Sequence, residues 1–268
     1  MADLFQNLDT ADSDFVAMVA GVLERRAADP AQRAILESCL ADLAVTDGAR
    51  VIELGCGTGP VARRFAELDA VAAVHGVDPA SGMIEHARGL ARGIDGLSFA
   101  VARGECTGEP SESYDIVVLY TVLSHVADPA ALLAEARRLL KPDGQLTICD
   151  SDFSQATAAT GAADPLQACI EAWRAQAAAN PWLVPELPGL LKNAGFAIET
   201  LRGHHRIDMT GISSAVDWID FGVRTLCEQG RIGEELGEAL KAEARRRIAA
   251  GSFHAAIPFV SIVARPLA

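Results

Sequence analysis

Apolar residues follow two spacings along this chain, and these spacings predict a repeated order of strands and helices. Short apolar runs typical of buried strands lie at residues 49–54, 73–77, 97–101, 114–120, 145–149, 196–207 and 257–266. Apolar residues at helical spacing lie at 14–27, 30–44, 60–70, 81–91, 129–140 and 164–179, and two further helices fall within 211–250. Strands that alternate with helices favour a parallel sheet joined by right-handed crossovers. We therefore expect an α/β fold with a doubly wound sheet.

Helical segments also lie outside the alternating core. We expect one domain over residues 1–268, with N-terminal helices in 1–45 and a core at 46–150. Residues 151–195 then form a helical insertion, and 196–268 combine the last two strands with a second helical insertion. The sequence Lys-Pro-Asp-Gly at 141–144 predicts a turn before the fifth strand.

Composition limits the classes of partner. Half of the residues are hydrophobic, as in a globular protein, and 23 basic against 36 acidic residues give a net charge of −13. An acidic surface argues against nucleic acid as the substrate. The basic run at 244–247 closes a helix that begins with two acids, which indicates a solvated helix face.

The cysteines and the N-terminal residues indicate the cellular compartment in which the protein works. The six cysteines show no CxxC pair or metal-ligand spacing, which is typical of reduced thiols. The N-terminal residues carry acids where a signal peptide carries positive charge, and the longest apolar run, 116–123, is too short to cross a bilayer. We expect a cytoplasmic protein without a membrane partner, and the sequence leaves the oligomeric state open.

The first strand runs into the sequence VIELGCGTGP at 51–60. A strand, a glycine-rich turn and a helix form a nucleotide site at the helix N-terminus. A dinucleotide pattern, GxGxxG, would need a glycine where Pro60 stands, and Pro60 instead suits a first helical turn. A phosphate-binding P-loop would need a Lys-Ser/Thr pair, which is missing. The spacing of Gly55, Gly57 and Gly59 therefore belongs to another nucleotide ligand.

Two acids near this loop narrow the choice of ligand. Glu53 lies two residues before the first glycine, where a carboxylate repels a pyrophosphate but suits ammonium and sulfonium charges. Asp78 ends the second strand, where an acid can accept hydrogen bonds from two ribose hydroxyls. Together these acids favour a positively charged adenosyl ligand.

Four segments within residues 49–150 occur in a characteristic order: VIELGCGTG, VHGVDPASGM, YDIVVLYTVLSHVADP and LLKPDGQL. They resemble the successive motifs of class I S-adenosylmethionine-dependent methyltransferases of the small-molecule type, such as those of ubiquinone and menaquinone biosynthesis. The resemblance implies a Rossmann-like seven-stranded sheet, mostly parallel with an antiparallel last strand. It also implies S-adenosylmethionine as the cofactor and S-adenosylhomocysteine as the product.

The resemblance further implies roles for individual residues. Gly55 and its neighbours would border the methionine part of the cofactor, with Glu53 near its ammonium group, Asp78 on the ribose and Met83 on the adenine. For Met83, filling the core is an alternative role. The implied cofactor-binding residues are Glu53, Gly55, Cys56, Gly57, Thr58, Gly59, Asp78, Pro79, Met83, Glu105, Cys106 and Tyr120.

One of these assignments depends on a loop length. In the family, an acid followed by a small residue after the third strand reads the adenine edge. Glu105 and Cys106 fit this pattern if the loop before Tyr114 is two residues short, whereas an ungapped alignment places Arg103 there.

The acceptor side has one candidate catalytic residue. His125 follows the fourth strand, where a neutral imidazole could take a proton from a hydroxyl acceptor or could only position it. Aromatic residues in the added helices either hold an apolar acceptor or pack among themselves. The expected pocket residues are Ser124, Asp152, Trp173, Trp182 and Trp218.

A metal ion is not expected. Asp150 and Asp152 follow the fifth strand, where some relatives bind Mg²⁺ with a further acid after the fourth strand. Tyr120 and Thr121 stand at that place, so the ligand set is incomplete.

The sequence therefore predicts methyl transfer to a small organic metabolite and leaves an oxygen, nitrogen or carbon acceptor open. Base-flipping methyltransferases often carry Asn/Asp-Pro-Pro-aromatic after the fourth strand, but Leu-Tyr-Thr-Val stands here. A non-catalytic S-adenosylmethionine-binding regulatory protein and a nucleotide-dependent oxidoreductase are the alternatives.

Overall fold

The predicted strands form one mixed sheet in the computed structural model, which describes residues 5, 8–211 and 215–267. Nine residues and the last one lie outside this description: 1–4, 6, 7, 212–214 and 268. They include part of the predicted N-terminal helical segment and the start of the region predicted to hold two helices. The strands are β1 Ala49–Leu54, β2 Val71–Asp78, β3 Leu97–Val101, β4 Tyr114–Tyr120, β5 Leu140–Ser151, β6 Phe196–Asp208 and β7 Ala255–Pro266.

The strand order is β3-β2-β1-β4-β5-β7-β6. Strands β1 to β5 pair in parallel, and β7 runs antiparallel to both β5 and β6. This confirms the seven-stranded sheet with an antiparallel last strand. The order reverses at β1, which lies between β2 and β4, and the crevice at the carboxyl ends of such strands is where ligands bind in doubly wound sheets.

The described residues also form nine α-helices. They are α1 Ser13–Ala28, α2 Pro30–Ala41, α3 Pro60–Ala66, α4 Ser81–Leu90, α5 Pro129–Leu139, α6 Leu166–Ala177, α7 Leu183–Asn193, α8 Ala215–Glu228 and α9 Glu234–Ala249. Aspartates cap the starts of α1, α2 and α5 by accepting hydrogen bonds from first-turn N–H groups. Pro60 occupies the first turn of α3, as predicted. None of the helices in the described ranges is long and apolar enough to cross a membrane.

The predicted turn at 141–144 takes a different form. β5 begins at Leu140, directly after α5, and its pairing with β4 shifts between Leu140 and Gln145. The four turn residues are therefore an irregular bulge inside a long strand rather than a separate loop. The turn prediction was wrong in this respect because strand pairing on both sides of the Pro-Asp-Gly sequence keeps it within the sheet.

The added helices α6, α8 and α9 form their own layer. α6 packs closely on α8, since a Cβ at Gly222 would overlap the carbonyl group of Cys169. Arg247 of α9 pairs with Asp164, which precedes α6, and only 11% of the arginine side chain and 3% of the aspartate side chain are exposed. The interpretation of 244–247 as a solvated face is therefore wrong for Arg247, whose partner lies 83 residues away in sequence.

Candidate functional site

A cavity of about 790 Å³ lies at the carboxyl ends of β1, β2 and β4, with side chains of α1 and α2 along its outer wall. It brings together nine of the twelve predicted cofactor-binding residues. The nine are Glu53, Gly55, Cys56, Gly57, Asp78, Pro79, Met83, Glu105 and Tyr120. Thr58, Gly59 and Cys106 are not among its lining residues.

The glycine loop needs its glycines for conformation and for space. Gly55, Gly57 and Gly59 have φ angles of 75°, 52° and 74°, in the left-handed region that favours glycine. A Cβ at Gly55 would overlap the side chain of Val122, and one at Gly59 would come within 2.5 Å of the Phe99 ring. Only glycine therefore lets the loop turn from β1 into α3 against these neighbours.

Replacing Gly55 by alanine should cost about 1–2 kcal/mol of unfolding free energy from the left-handed backbone alone. Displacement of Val122, which also lines the cavity, should in addition weaken nucleotide binding. Gly89→Ala is the matched control, because Gly89 lies inside α4 with nothing near its Cβ position and should gain up to about 1 kcal/mol. Urea denaturation of both variants checks this, and equal stabilities would contradict it.

Glu53 is a buried acid on the cavity wall. Only 2% of the residue is exposed, and burial raises its pKa to about 8. Burial is the largest cause of this shift and the nearby Asp78 contributes to it, while the Ala62 N–H and the charge of Arg63 oppose it. Within the described residues, Oε2 has no hydrogen-bond partner. A cationic N–H donor in the cavity would satisfy this oxygen and stabilise the carboxylate.

Asp78 is fixed at the end of β2 by two backbone donors. Gly57 N–H donates to Oδ2 and Ala80 N–H donates to Oδ1, both at 2.9 Å. Burial raises the pKa of Asp78, and these two hydrogen bonds oppose the shift. Each carboxylate oxygen can still accept a second hydrogen bond, so the geometry fits a pair of ligand hydroxyls.

The N-terminal helix is attached to the glycine loop. Glu24 of α1 accepts a 2.6 Å hydrogen bond from the Thr58 hydroxyl and forms an ion pair with Arg63 at 2.8 Å. Leu23 lies beside Gly57, where an added Cβ would come within 2.9 Å of it. The Thr58 side chain, which the sequence assigns to the cofactor, is thus turned toward α1. Sequence spacing gave no signal for this contact between positions 34 apart.

The predicted adenine contacts fall into two groups. Met83 is fully buried, lines the cavity and also packs in the cluster around Val16 and Val19, so both of its predicted roles are compatible with its position. Arg103 and Glu105 both line the cavity and pair with each other at 3.3 Å. The two residues that the sequence offered for contact with the adenine edge, Arg103 and Glu105, therefore both lie at the cavity.

His125 and Tyr120 both line the cavity. The His125 ring lies 4.6 Å from the Phe5 ring and 6.0 Å from the Phe153 ring. Trp173 lies behind Phe153 at 5.6 Å and stacks on Trp218 at 4.6 Å. Phe153 and these two tryptophans are not among the cavity-lining residues, and the ring cluster meets the cavity at His125. Trp182 does not join them, since it is 54% exposed and lies against the Arg174 guanidinium.

Ser124 and Asp152 are not among the cavity-lining residues either. The Ser124 hydroxyl donates to Oδ1 of the buried Asp150 at 2.7 Å, and the Ser124 N–H donates to Oδ2. Burial raises the pKa of Asp150, and the nearby His125 opposes the shift. Asp152 instead accepts hydrogen bonds from Ser154 at the start of a short 3₁₀ turn. No group of three or more His, Cys, Asp or Glu side chains in the described ranges could hold a metal ion.

Many lining residues were not predicted as site residues, and Thr121, Arg26 and Gln32 are three polar examples. Thr121 follows β4 with a φ of 52°, an uncommon conformation for a residue with a branched side chain. Arg26 of α1 is half-buried, and Gln32 of α2 is buried with its Oε1 lacking a partner among the described residues. The helical spacing of α1 and α2 gives no indication of which strand ends they cover.

Comparisons with known proteins agree with this geometry. Residues 23–201, more than half of the chain, match the family model described as a methyltransferase domain. An uncharacterised 37.1 kDa protein in transposon TN4556 of Streptomyces fradiae is 28% identical over 249 residues, 91% of this chain and 70% of the relative.

A demethylmenaquinone methyltransferase of Tropheryma whipplei is 32% identical over 108 residues, which are 40% of this chain and 44% of the relative. The match therefore spans less than half the length of that enzyme. Among solved structures, phosphoethanolamine N-methyltransferase 2 of Haemonchus contortus in complex with S-adenosyl-L-methionine superposes with a TM-score of 0.62. This match is 17% identical and covers 100% of this chain and 61% of that one, so it shows a shared fold.

Proposed function

The chain belongs to the methyltransferase-domain family, and we propose that it transfers the methyl group of S-adenosylmethionine to a small organic acceptor bound in the same cavity. The observation that carries the proposal is the buried carboxyl of Glu53, whose Oε2 lacks a partner among the described residues. A buried acid of this kind is costly unless a ligand cation pairs with it.

The residues at the cavity fit this cofactor at three points. Glu53 would accept a hydrogen bond from the ammonium group, and Asp78, already oriented by two backbone N–H groups, would accept from the ribose hydroxyls. The glycine loop is the third point, because Gly55 and Gly57 line the cavity with backbone alone and no side chain stands between them and a nucleoside.

When bound, S-adenosylmethionine supplies an electrophilic methyl group on a sulfonium centre. The protein then has to align the acceptor with that methyl group and keep water away. A cavity of about 790 Å³ has room for the donor and a small acceptor together. The side chains of α1 and α2 along its outer wall restrict solvent access.

The acceptor end favours a small, partly apolar compound. His125 and Phe5 place ring surface on the cavity wall, and Tyr120 stays a neutral phenol because burial raises its pKa. Oxygen, nitrogen and carbon acceptors all remain within the proposal. All six cysteines are free, which supports a reducing compartment such as the cytoplasm.

We expect His125→Ala to lower kcat about 10²-fold or more if the acceptor must lose a proton, because general-base catalysis contributes at least that much. Activity should then recover partly at alkaline pH, where hydroxide removes the proton. His205→Ala, at an exposed position on β6, is the matched control and should leave kcat unchanged. If kcat is unchanged in His125→Ala, His125 is not a general base and can only position the acceptor.

Methyl transfer itself is tested with S-adenosylmethionine labelled in the methyl group. The purified protein is incubated with a panel of small phenols, amines, carboxylic acids and activated carbon acids, and label in the products is counted. The proposal predicts label in at least one product class. Intact S-adenosylhomocysteine binding without label in any class would favour a non-catalytic binding protein instead.

A further inference from the structure

Five arginine side chains line the cavity, and carboxylates within the described part of the chain pair with three of them. These ion pairs are Arg63 with Glu24, Arg64 with Glu37, and Arg103 with Glu105. Arg33 is exposed and its Nε donates to the carbonyl oxygen of Ala27. Arg26 is half-buried, and no carboxylate of the described residues lies within ion-pair distance of it.

Arg26 and Tyr120, the last residue of β4, line the same cavity. Burial raises the pKa of the Tyr120 phenol, and the charge of Arg26 opposes this shift. Arg26 therefore belongs to the same cavity wall as residues at the end of β4. A half-buried cation without a carboxylate gains most from an anionic ligand that replaces its lost hydration.

Gln32 provides an independent sign of a polar ligand on the same wall. It is 5% exposed, lines the cavity from α2, and its Oε1 has no partner in the described ranges. A buried carboxamide oxygen without a hydrogen bond destabilises the protein unless a ligand donates to it. Arg26 thus supplies a cation and Gln32 supplies a hydrogen-bond acceptor to the same cavity.

We propose that Arg26 binds a carboxylate group of a ligand in this cavity, with Gln32 accepting a hydrogen bond from the same ligand. The inference rests on the proposed function, which offers two sources of that carboxylate. One is the amino-acid end of the methyl donor, whose ammonium group faces Glu53, and the other is a carboxylate on the acceptor.

Isothermal titration of Arg26→Leu with two ligands tests the first source. S-adenosylhomocysteine carries the carboxylate, and its decarboxylated analogue S-adenosyl-3-thiopropylamine keeps only the ammonium. A donor carboxylate on Arg26 predicts a loss of about 10- to 100-fold for S-adenosylhomocysteine, as for a charge-assisted hydrogen bond. The analogue should bind the variant and the native protein equally. Arg25→Leu, at the exposed neighbour in α1, should change neither affinity.

If Arg26→Leu binds S-adenosylhomocysteine as tightly as the native protein does, the carboxylate must come from the acceptor, and this second source is tested next. Thermal shifts with benzoate against benzamide, and hexanoate against hexanamide, then measure a preference for carboxylates. The native protein should show this preference and Arg26→Leu should lose it. The proposal is overturned if Arg26→Leu changes neither the affinity for S-adenosylhomocysteine nor the preference for carboxylates. It is also overturned if the variant loses equal affinity for S-adenosylhomocysteine and for the decarboxylated analogue, because Arg26 then has a structural role. If the native protein fails to bind S-adenosylhomocysteine, the proposed function falls, while the carboxylate preference still decides the role of Arg26.

Discussion

Replacing Glu53 by glutamine should weaken S-adenosylhomocysteine binding about 100-fold at pH 8, because a buried carboxylate–ammonium contact is lost. The pKa of Glu53 is raised to about 8 in the ligand-free protein, and the ammonium of the ligand favours the ionised form. Native affinity should therefore rise roughly 10- to 50-fold between pH 6 and pH 8, with a proton released on binding near neutral pH. The glutamine variant should show a flat profile over this range.

The same pKa shift has a consequence for stability. The folded protein holds the Glu53 proton between the ordinary pKa of 4.5 and about 8, whereas the unfolded chain has released it. The unfolding free energy of the ligand-free protein should therefore fall as pH rises through this window, by an amount on the order of 4 kcal/mol. Glu53→Gln removes this term, so the variant should be the more stable protein at pH 8 without ligand.

Two measurements check these expectations for Glu53. Isothermal titration at several pH values, in two buffers of different ionisation enthalpy, gives affinity and proton release together. Urea denaturation of the ligand-free proteins gives the stability difference. Glu186→Gln, at an exposed position of α7, is the matched control and should behave as the native protein. A pH-independent native affinity, or a variant that binds as tightly at pH 8, would contradict the role of Glu53.

Asp164→Ala should lower the unfolding free energy by about 2–3 kcal/mol, because Arg247 loses its buried carboxylate partner and keeps only the ion pair with Glu243. Asp164 and Arg247 are both largely buried, and Asp164 also accepts hydrogen bonds from the Thr160 and Leu166 N–H groups. Although burial acts to raise the pKa of Asp164, these donors hold it well below its ordinary value. The stabilisation is therefore present at neutral pH and is lost as pH falls below about 4.

Urea denaturation at pH 7 and pH 3 measures this contribution. Asp220→Ala is the matched control, because Asp220 of α8 pairs with Arg245 of α9 across an exposed contact of 3.4 Å. An exposed pair of this kind contributes less than about 1 kcal/mol. Equal losses for the two variants at pH 7 would refute a special role for the buried pair.

The core of the fold was predictable because its signals are local. β3 and β4 have the predicted bounds, and the glycine loop, Pro60 and Asp78 lie where the motif places them. A short apolar run followed by a glycine-rich turn is recognisable within one short stretch of sequence. The boundaries were less predictable where strand pairing decides them, as at Leu140, where β5 begins before its predicted start.

The site was less predictable where it depends on contacts between distant segments. Thr58 is turned toward Glu24, and Ser124 donates to the buried Asp150, so neither hydroxyl is available in the way the sequence indicated. Arg26 and Gln32 belong to helices whose apolar spacing predicts a buried face without saying what it covers. Packing of α1 and α2 over the sheet, rather than any local motif, brings these two residues to the cavity.

The central claim is that the cavity binds the nucleoside of a methyl donor. Titration of the purified protein with S-adenosylhomocysteine, and separately with NAD⁺ and NADH, tests it most directly. We predict saturable binding of S-adenosylhomocysteine at a single site, tighter at pH 8 than at pH 6, and no binding of either dinucleotide. Saturable binding of NAD⁺ or NADH without any response to S-adenosylhomocysteine would contradict it.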